Sequence, residues 1–320
     1  MYHKSVSGVP VTRSSRYSLI PIMQHHQANQ SFGEIREVGG LRTRGHVVQS
    51  KTDTPLITVI TVVLNNKLHI EHAILSVIAQ TYDNIEFIII DGGSTDGTLE
   101  IIRKFEDRIH LWVSERDGGI YEAMNKGLKL ASGDYVGMLN SDDWLEPHAL
   151  QLIIKTFTPR IDFVYGDIHV TDRQGNILGI KSAEIPIEAS LPYRMPFAHQ
   201  GFYARRTVIE QAGGYKLEYR LSADLELICR LVSLGFKGTY IRSVIANFRQ
   251  GGASGGIRTF LETRRIATGY GMGLLESWVR FTVSIIKTEL VKRLPPSLTR
   301  TIRRMTKSTF SYKAQPKKCL

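Results

Sequence analysis

The sequence predicts an α/β fold: a mostly parallel sheet with helices on its faces and a helical, basic C-terminal tail. Three observations carry that prediction. Short β-branched apolar runs suit strands buried on both faces, helical apolar spacing separates them, and acidic or glycine-rich turns end them. Strands that alternate with helices join by right-handed crossovers, so their carboxyl ends gather on one sheet edge, where such sheets bind ligands.

Order is expected to begin at Pro55, because residues 1–54 are rich in Ser, Gln, His and Gly without a sustained apolar period and read as a flexible polar leader. The run Ile57 to Leu64 is the first strand, Ile70 to Ala79 a helix, and Glu86 to Ile90 a second strand stopped by Asp91. The unit repeats: helix Gly97 to Phe105, strand Ile109 to Val113, helix Tyr121 to Leu130, strand Tyr135 to Leu139, then a helix from Glu146 to Phe157 and a strand Phe163 to Tyr165. Beyond Gly179 the pattern loosens through Pro186, Pro192 and Pro196, with helices at Arg206 to Ala212 and Leu225 to Leu234. Leu274, Trp278, Phe281 and Ile285 mark one face of a last helix, which Pro295 and Pro296 interrupt. The domain reading is therefore 55–273, with a ligand-binding half 55–165 and an acceptor or catalytic half 166–273, followed by a tail 274–320.

The formal charge of +11 invites a nucleic-acid reading. Its distribution argues against one, because residues 280–320 hold eleven Lys and Arg against Glu289 alone and residues 55–279 keep a slight excess of acid. The two cysteines, Cys229 and Cys319, support neither a disulfide framework nor a cysteine metal site. No apolar run reaches the roughly 18 residues of a membrane span and no secretory signal is visible, so a cytoplasmic location is expected.

The chemistry is expected at the strand ends. Asp91-Gly92-Gly93-Ser94-Thr95-Asp96-Gly97-Thr98 follows a buried strand and opens a helix; Asp91 is placed to accept bonds from a ligand, whereas Asp96 reads as a cap or turn residue. Asn140-Ser141-Asp142-Asp143 sets adjacent acids at another strand end, a costly pairing unless a cation lies between them. Bridging diphosphate oxygens through a divalent metal would supply that charge, with a helix cap by Asp143 as the alternative. Between these clusters, Asp117-Gly118-Gly119 sits at a third strand end.

These residues resemble the family 2 glycosyltransferases, inverting enzymes of the GT-A fold. The resemblance runs from about Pro55 to Ala253. It rests on the strand Thr58 to Asn65, Ser76-Val77-Ile78-Ala79-Gln80-Thr81, the Asp91 motif, Asp117-Gly118-Gly119-Ile120-Tyr121-Glu122-Ala123-Met124-Asn125-Lys126-Gly127, Asn140-Ser141-Asp142-Asp143, His199-Gln200, Gly213-Gly214-Tyr215 and Ser222-Ala223-Asp224 with Arg230. The subgroup most similar to it serves colanic-acid and phenolic-glycolipid pathways.

The resemblance implies a nucleotide-diphosphate sugar donor and a saccharide or lipid-linked saccharide acceptor. It implies that Asp91 contacts the nucleotide, that Asp142 and Asp143 hold Mg²⁺ or Mn²⁺, and that Asp224 is the general base, the alternative for Asp224 being a helix cap. Val63, Asp117, Asn125 and Arg249 join Asp91 on the donor side, and His199 and Gln200 are expected to line the acceptor pocket. This chain departs from the family at Val62-Val63, where many members carry Pro-Thr, and at Asn140, where fuller motifs carry Asp. A sugar-nucleotide nucleotidyltransferase is the competing enzyme class, but Leu64-Asn65-Asn66-Lys67 is not the glycine-rich basic loop it would need. For 274–320 two readings stay open: association with the membrane interface beside anionic headgroups, or a helix packed on the body with a solvated charged end.

Overall fold

The structure, a computed structural model, describes residues 35–251 and 256–293. Two units divide at Ser254 and Gly255. The first carries one ten-stranded mixed sheet in the order β1-β4-β3-β2-β5-β9-β7-β10-β6, with β8 paired to β7.

Strand β1 is Ile35–Gly39 and β2 is Ile57–Val63, followed by helix α1, Ile70–Ile78. Next come β3 (Ile85–Asp91), α2 (Thr98–Lys104), β4 (Leu111–Glu115), α3 (Ile120–Leu130) and β5 (Tyr135–Asn140). Every residue of β2 is buried, as its unbroken apolar and threonine run requires of a strand between β3 and β5 with both faces covered. Each fully buried Ile or Val there contributes about 1.5–3 kcal/mol. Strands β2 to β5 are parallel, and their register aligns the carboxyl ends: Val63 lies opposite Asp91, Asp91 opposite Ser114, and Val62 opposite Asn140.

The short β6 (Trp144–Leu145) precedes α4 (Ala149–Thr156), and β7 (Phe163–Thr171) turns into β8 (Ile177–Lys181). Strand β9 (Phe202–Arg205), α5 (Arg206–Ala212), α6 (Ala223–Ser233) and β10 (Gly238–Arg249) complete this unit. The sheet is less parallel than the alternating pattern predicts, because β1, β6, β8 and β9 all pair antiparallel. It is continuous through the two halves read from the sequence.

Three differences have physical causes. Residues 35–46, read as part of the leader, form β1 and a short 3-10 turn, Leu41–Arg44. Arg42 explains their order: its guanidinium meets the buried Glu86 at 3.2 Å and the Leu130 carbonyl at 2.7 Å. The strand expected from Ile109 starts at Leu111, since the Ile109 and His110 carbonyls accept the Leu41 and Arg42 N–H groups. The helix expected from Glu146 starts at Ala149, because Trp144 and Leu145 pair with β10 first.

In the second unit, α7 (Ile257–Gly269) and α8 (Leu274–Arg293) pack on each other. The Arg264 guanidinium lies 4.2 Å over the Trp278 ring, so α7, read from the sequence as part of 55–273, belongs with α8. Residues 1–34 of the leader and 294–320 of the basic tail lie outside the described residues. No helix among the described residues is long and apolar enough to cross a membrane.

Candidate functional site

The aligned carboxyl ends of β2 to β5 bring the predicted acids to one edge. Asp91, the last residue of β3, is buried and held by its own turn: one carboxylate oxygen accepts the N–H groups of Gly93 at 3.1 Å and Ser94 at 3.0 Å and the Ser114 hydroxyl at 2.6 Å. Gly92 leaves room for Asp117, since a Cβ at that position would stand 2.7 Å from Asp117 Oδ2. The two loops therefore touch. Burial raises the Asp117 carboxyl above the usual range, against the bond it accepts from Gly119. Asp96 serves its turn, accepting from Thr98 and from the Lys67 N–H. Val63 itself packs in the core, and its carbonyl accepts the Gly92 N–H at 2.8 Å.

The turn after β5 separates the acid pair into two environments. Asp143 is buried and accepts the Arg249 N–H at 2.9 Å, the Gln200 amide at 2.8 Å and the Asn140 amide at 3.3 Å. It caps no helix; it ties the end of β10 to the end of β5. Burial and the neighbouring Asp142 charge push its carboxyl up to about 7. Asp142 is half-buried, and among the described residues no donor from another residue reaches its carboxylate, only its own backbone N–H. Burial raises its carboxyl too, opposed by the charges of His69 and Arg249. Asn140 Oδ1 beside them is buried and has no hydrogen-bond partner among the described residues.

This donor set fits a hard divalent cation. Among the described residues no three His, Cys, Asp or Glu side chains gather as a closed metal cage. Magnesium and its relatives bind through one or two carboxylates with phosphate oxygens completing the shell, and an acid pair with one open carboxylate suits that.

Arg249 is buried at the same place. Its Nε donates to the Asp142 carbonyl at 3.2 Å, its Nη1 to the Arg173 carbonyl at 2.6 Å, and its guanidinium lies 5.0 Å over the Trp144 ring.

Asp224 sits in the first turn of α6, after Ser222. Its Oδ1 accepts the Tyr121 hydroxyl at 3.1 Å and the Leu225 N–H at 2.9 Å, leaving Oδ2 without a donor among the described residues. Tyr121 opens α3 just beyond Asp117, so this bond sets Asp224 at the strand-end edge. Tyr215 stacks on Tyr121 at 5.5 Å and shares a 2.8 Å bond with His199 Nε2. Burial lowers the His199 pKa, so the ring favours its neutral form.

Two expected contacts are already occupied. Asn125 donates to the Tyr215 carbonyl at 2.7 Å and accepts the Tyr215 N–H at 2.8 Å, and Gly214, with φ 69°, carries the chain past it where a Cβ would stand 2.7 Å from Asn125 Oδ1. Gln200 points at Asp143 and so stands with the acid pair, apart from His199. Sequence reasoning missed that Ser114 holds Asp91, and it has Tyr215 only as part of a motif, without its place between Asn125 and His199. No charge or spacing marks either role.

The sequence model described as glycosyl transferase family 2 matches residues 58–217. A PGL/p-HBAD biosynthesis glycosyltransferase of Mycobacterium bovis is 28% identical over 249 residues, covering 75% of this chain and 95% of that protein. An uncharacterized glycosyltransferase of Mycobacterium tuberculosis is 31% identical over 205 residues, covering 62% and 76%. Residues 1–349 of Staphylococcus aureus TarS in complex with UDP-GlcNAc superpose with a TM-score of 0.55 at 16% identity, over 69% of each chain. On the longer TarS chain the match spans 41%. The mannosyltransferase PcManGT of Pyrobaculum calidifontis, with GDP-Man and Mn²⁺, gives 0.54 at 16% identity, over 92% of this chain and 88% of that one. At such identity these structures establish the GT-A fold alone.

Proposed function

This chain belongs to glycosyl transferase family 2, a nucleotide-sugar glycosyltransferase, and we propose that it moves a hexosyl-type sugar to an acceptor hydroxyl with inversion. The observation that carries the reading is the shared edge: Asp91, Asp117, Asp142, Asp143 and Arg249 lie at the carboxyl ends of one sheet, and Tyr121 ties Asp224 to it.

In this reading the loops at Asp91 and Asp117, with the strand end at Val63, take the nucleotide. Asp142, with its open carboxylate, is the principal ligand of Mg²⁺ or Mn²⁺, and Asp143 orients the turn and completes the pair. When bound, the metal neutralises charge on the departing diphosphate. Arg249 holds the same phosphates, and Asn125 contributes by fixing Tyr215. Asp224 accepts the acceptor's hydroxyl proton as that oxygen bonds to the anomeric carbon and the bond from that carbon to the diphosphate breaks. Direct displacement by the acceptor oxygen, with Asp224 as the base, inverts the anomeric centre. His199 lines the acceptor side through Tyr215.

The resemblance to polysaccharide and glycolipid enzymes supports a saccharide or lipid-linked saccharide acceptor. For that acceptor we propose a peripheral position on the cytoplasmic face of a membrane. Helix α8 supports it, with Leu275, Val279, Val283 and Ile286 exposed at helical spacing ahead of the basic tail sequence.

The test is calorimetric titration with UDP, GDP and dTDP, with and without Mn²⁺, on the wild type and on a variant carrying Asp142→Ala and Asp143→Ala. Metal-dependent binding of one diphosphate, lost in the variant, is expected. Binding that survives both the substitutions and the absence of metal would overturn the metal assignment, and no binding to any of the three would overturn the donor class.

A further inference from the structure

The segment Leu64 to His69, between β2 and α1, is more than a connection. Asn65, at φ 50°, accepts the Thr95 N–H on its side chain at 2.8 Å and donates its own N–H to Ser94 at 2.8 Å. Asn66 bonds in two directions: its N–H reaches Thr98 at 2.9 Å, and its amide reaches Ser141, the residue before Asp142, at 2.8 Å. The loop thus spans from the Asp91 turn to the acid pair.

What it delivers there is His69, the residue that enters α1. One turn on and on the same face, His72 stacks on Trp144 with ring centroids 4.6 Å apart. Trp144 is the ring over which the Arg249 guanidinium lies, and Arg249 in turn bonds the Asp142 carbonyl. The start of α1 is therefore packed against the turn that carries Asp142. The charges of both Arg249 and Asp142 act on the His69 ring, although burial is the larger influence on it. The ring is partly exposed and has no hydrogen-bond partner among the described residues. An imidazole brought this close to the acid pair and Arg249 without a partner has an N–H to offer an incoming anion.

Resting on the transferase reading, we propose that His69 is a donor-binding residue, reaching the diphosphate of the nucleotide sugar from α1 while Arg249 reaches it from β10. Such a bond to a phosphate oxygen is charge-assisted and strengthens as that oxygen gains charge when the bond to the anomeric carbon breaks. Nothing in the sequence of this loop marks His69 as a ligand contact, since its place beside the acid pair comes from the packing of α1 on Trp144.

The experiment compares wild type, His69→Ala and His69→Gln by calorimetry in Mn²⁺, using the nucleoside diphosphate that the wild type binds and the matching monophosphate. Expected in His69→Ala is a loss of about tenfold or more in diphosphate affinity with monophosphate affinity and melting temperature unchanged, and partial recovery in His69→Gln, whose amide keeps an N–H donor. Unchanged diphosphate affinity in His69→Ala overturns the proposal. So does an equal loss for both nucleotides, which would mean the residue only shapes the loop. A wild type that binds no diphosphate would instead count against the transferase reading beneath it.

Discussion

At the residue scale, Asp142 and Asp143 are neighbours in sequence and opposites in setting. Asp143 accepts three N–H donors from other residues, whereas among the described residues none from another residue reaches the Asp142 carboxylate. Because burial and the neighbouring Asp142 charge raise the Asp143 carboxyl above the usual range, its neutral form persists to higher pH than an ordinary carboxyl's, and a cation must displace a proton to bind. Mn²⁺ affinity is therefore expected to keep rising with pH beyond the range in which an ordinary carboxylate has already ionised, which titrations across pH would register. Asp224→Asn should lower turnover by roughly 10² to 10⁴ and leave diphosphate binding near the wild-type value. Full turnover in that variant would remove Asp224 from the mechanism. The acids were legible because carboxylates at strand ends stand out against apolar runs. The partners of Asp91 and Asp143 were not, since Ser114 and Gln200 come from distant segments and only the fold selects them for those bonds.

Among elements, the parallel strands and the helices between them were legible because burial on both faces leaves an unbroken apolar run. Strand β1 was not, because an edge strand of five residues, Ile-Arg-Glu-Val-Gly, carries too little apolar signal. Its order depends on Arg42, whose partner Glu86 is buried and also bonded to Thr58 and Ser132. Arg42→Ala leaves that acid short of its cation, and a loss of about 1–3 kcal/mol is expected in chemical denaturation. An unaltered midpoint would show that the remaining bonds suffice. Helix α8 presents a second lesson. The apolar face marked in the sequence contains Trp278, which meets Arg264 of α7, whereas Leu275, Val279 and Val283 form an exposed stripe beside it. Val279→Asp with Val283→Asp should weaken sedimentation with anionic vesicles, and unchanged binding would reject the membrane role of this stripe.

Over the whole molecule, the alternating pattern revealed the fold class but not the closing of the sheet. Strands β7, β9 and β10 extend it from β5 through pairings between segments far apart in sequence, which local periodicity does not encode. The same long-range character shapes Asn125. Its two bonds to Tyr215 join α3 to the segment before α6, and Asn125→Ala should cost about 1–3 kcal/mol while leaving diphosphate binding intact. Weaker nucleotide binding at unchanged stability would instead return Asn125 to the donor side.

Tyr121 and Asn125, one turn apart on α3, reach Asp224 and Tyr215 on the other side of the chain's midpoint. The residues that would choose the leaving group and those that would choose the attacking hydroxyl are thus matched parts. Exchanging either half alone between relatives would separate the side chain from the backbone it was fitted to. A chimera joined near residue 166 should therefore be inactive unless Tyr121 and Asn125 travel with their partners, so donor and acceptor preference would be inherited together.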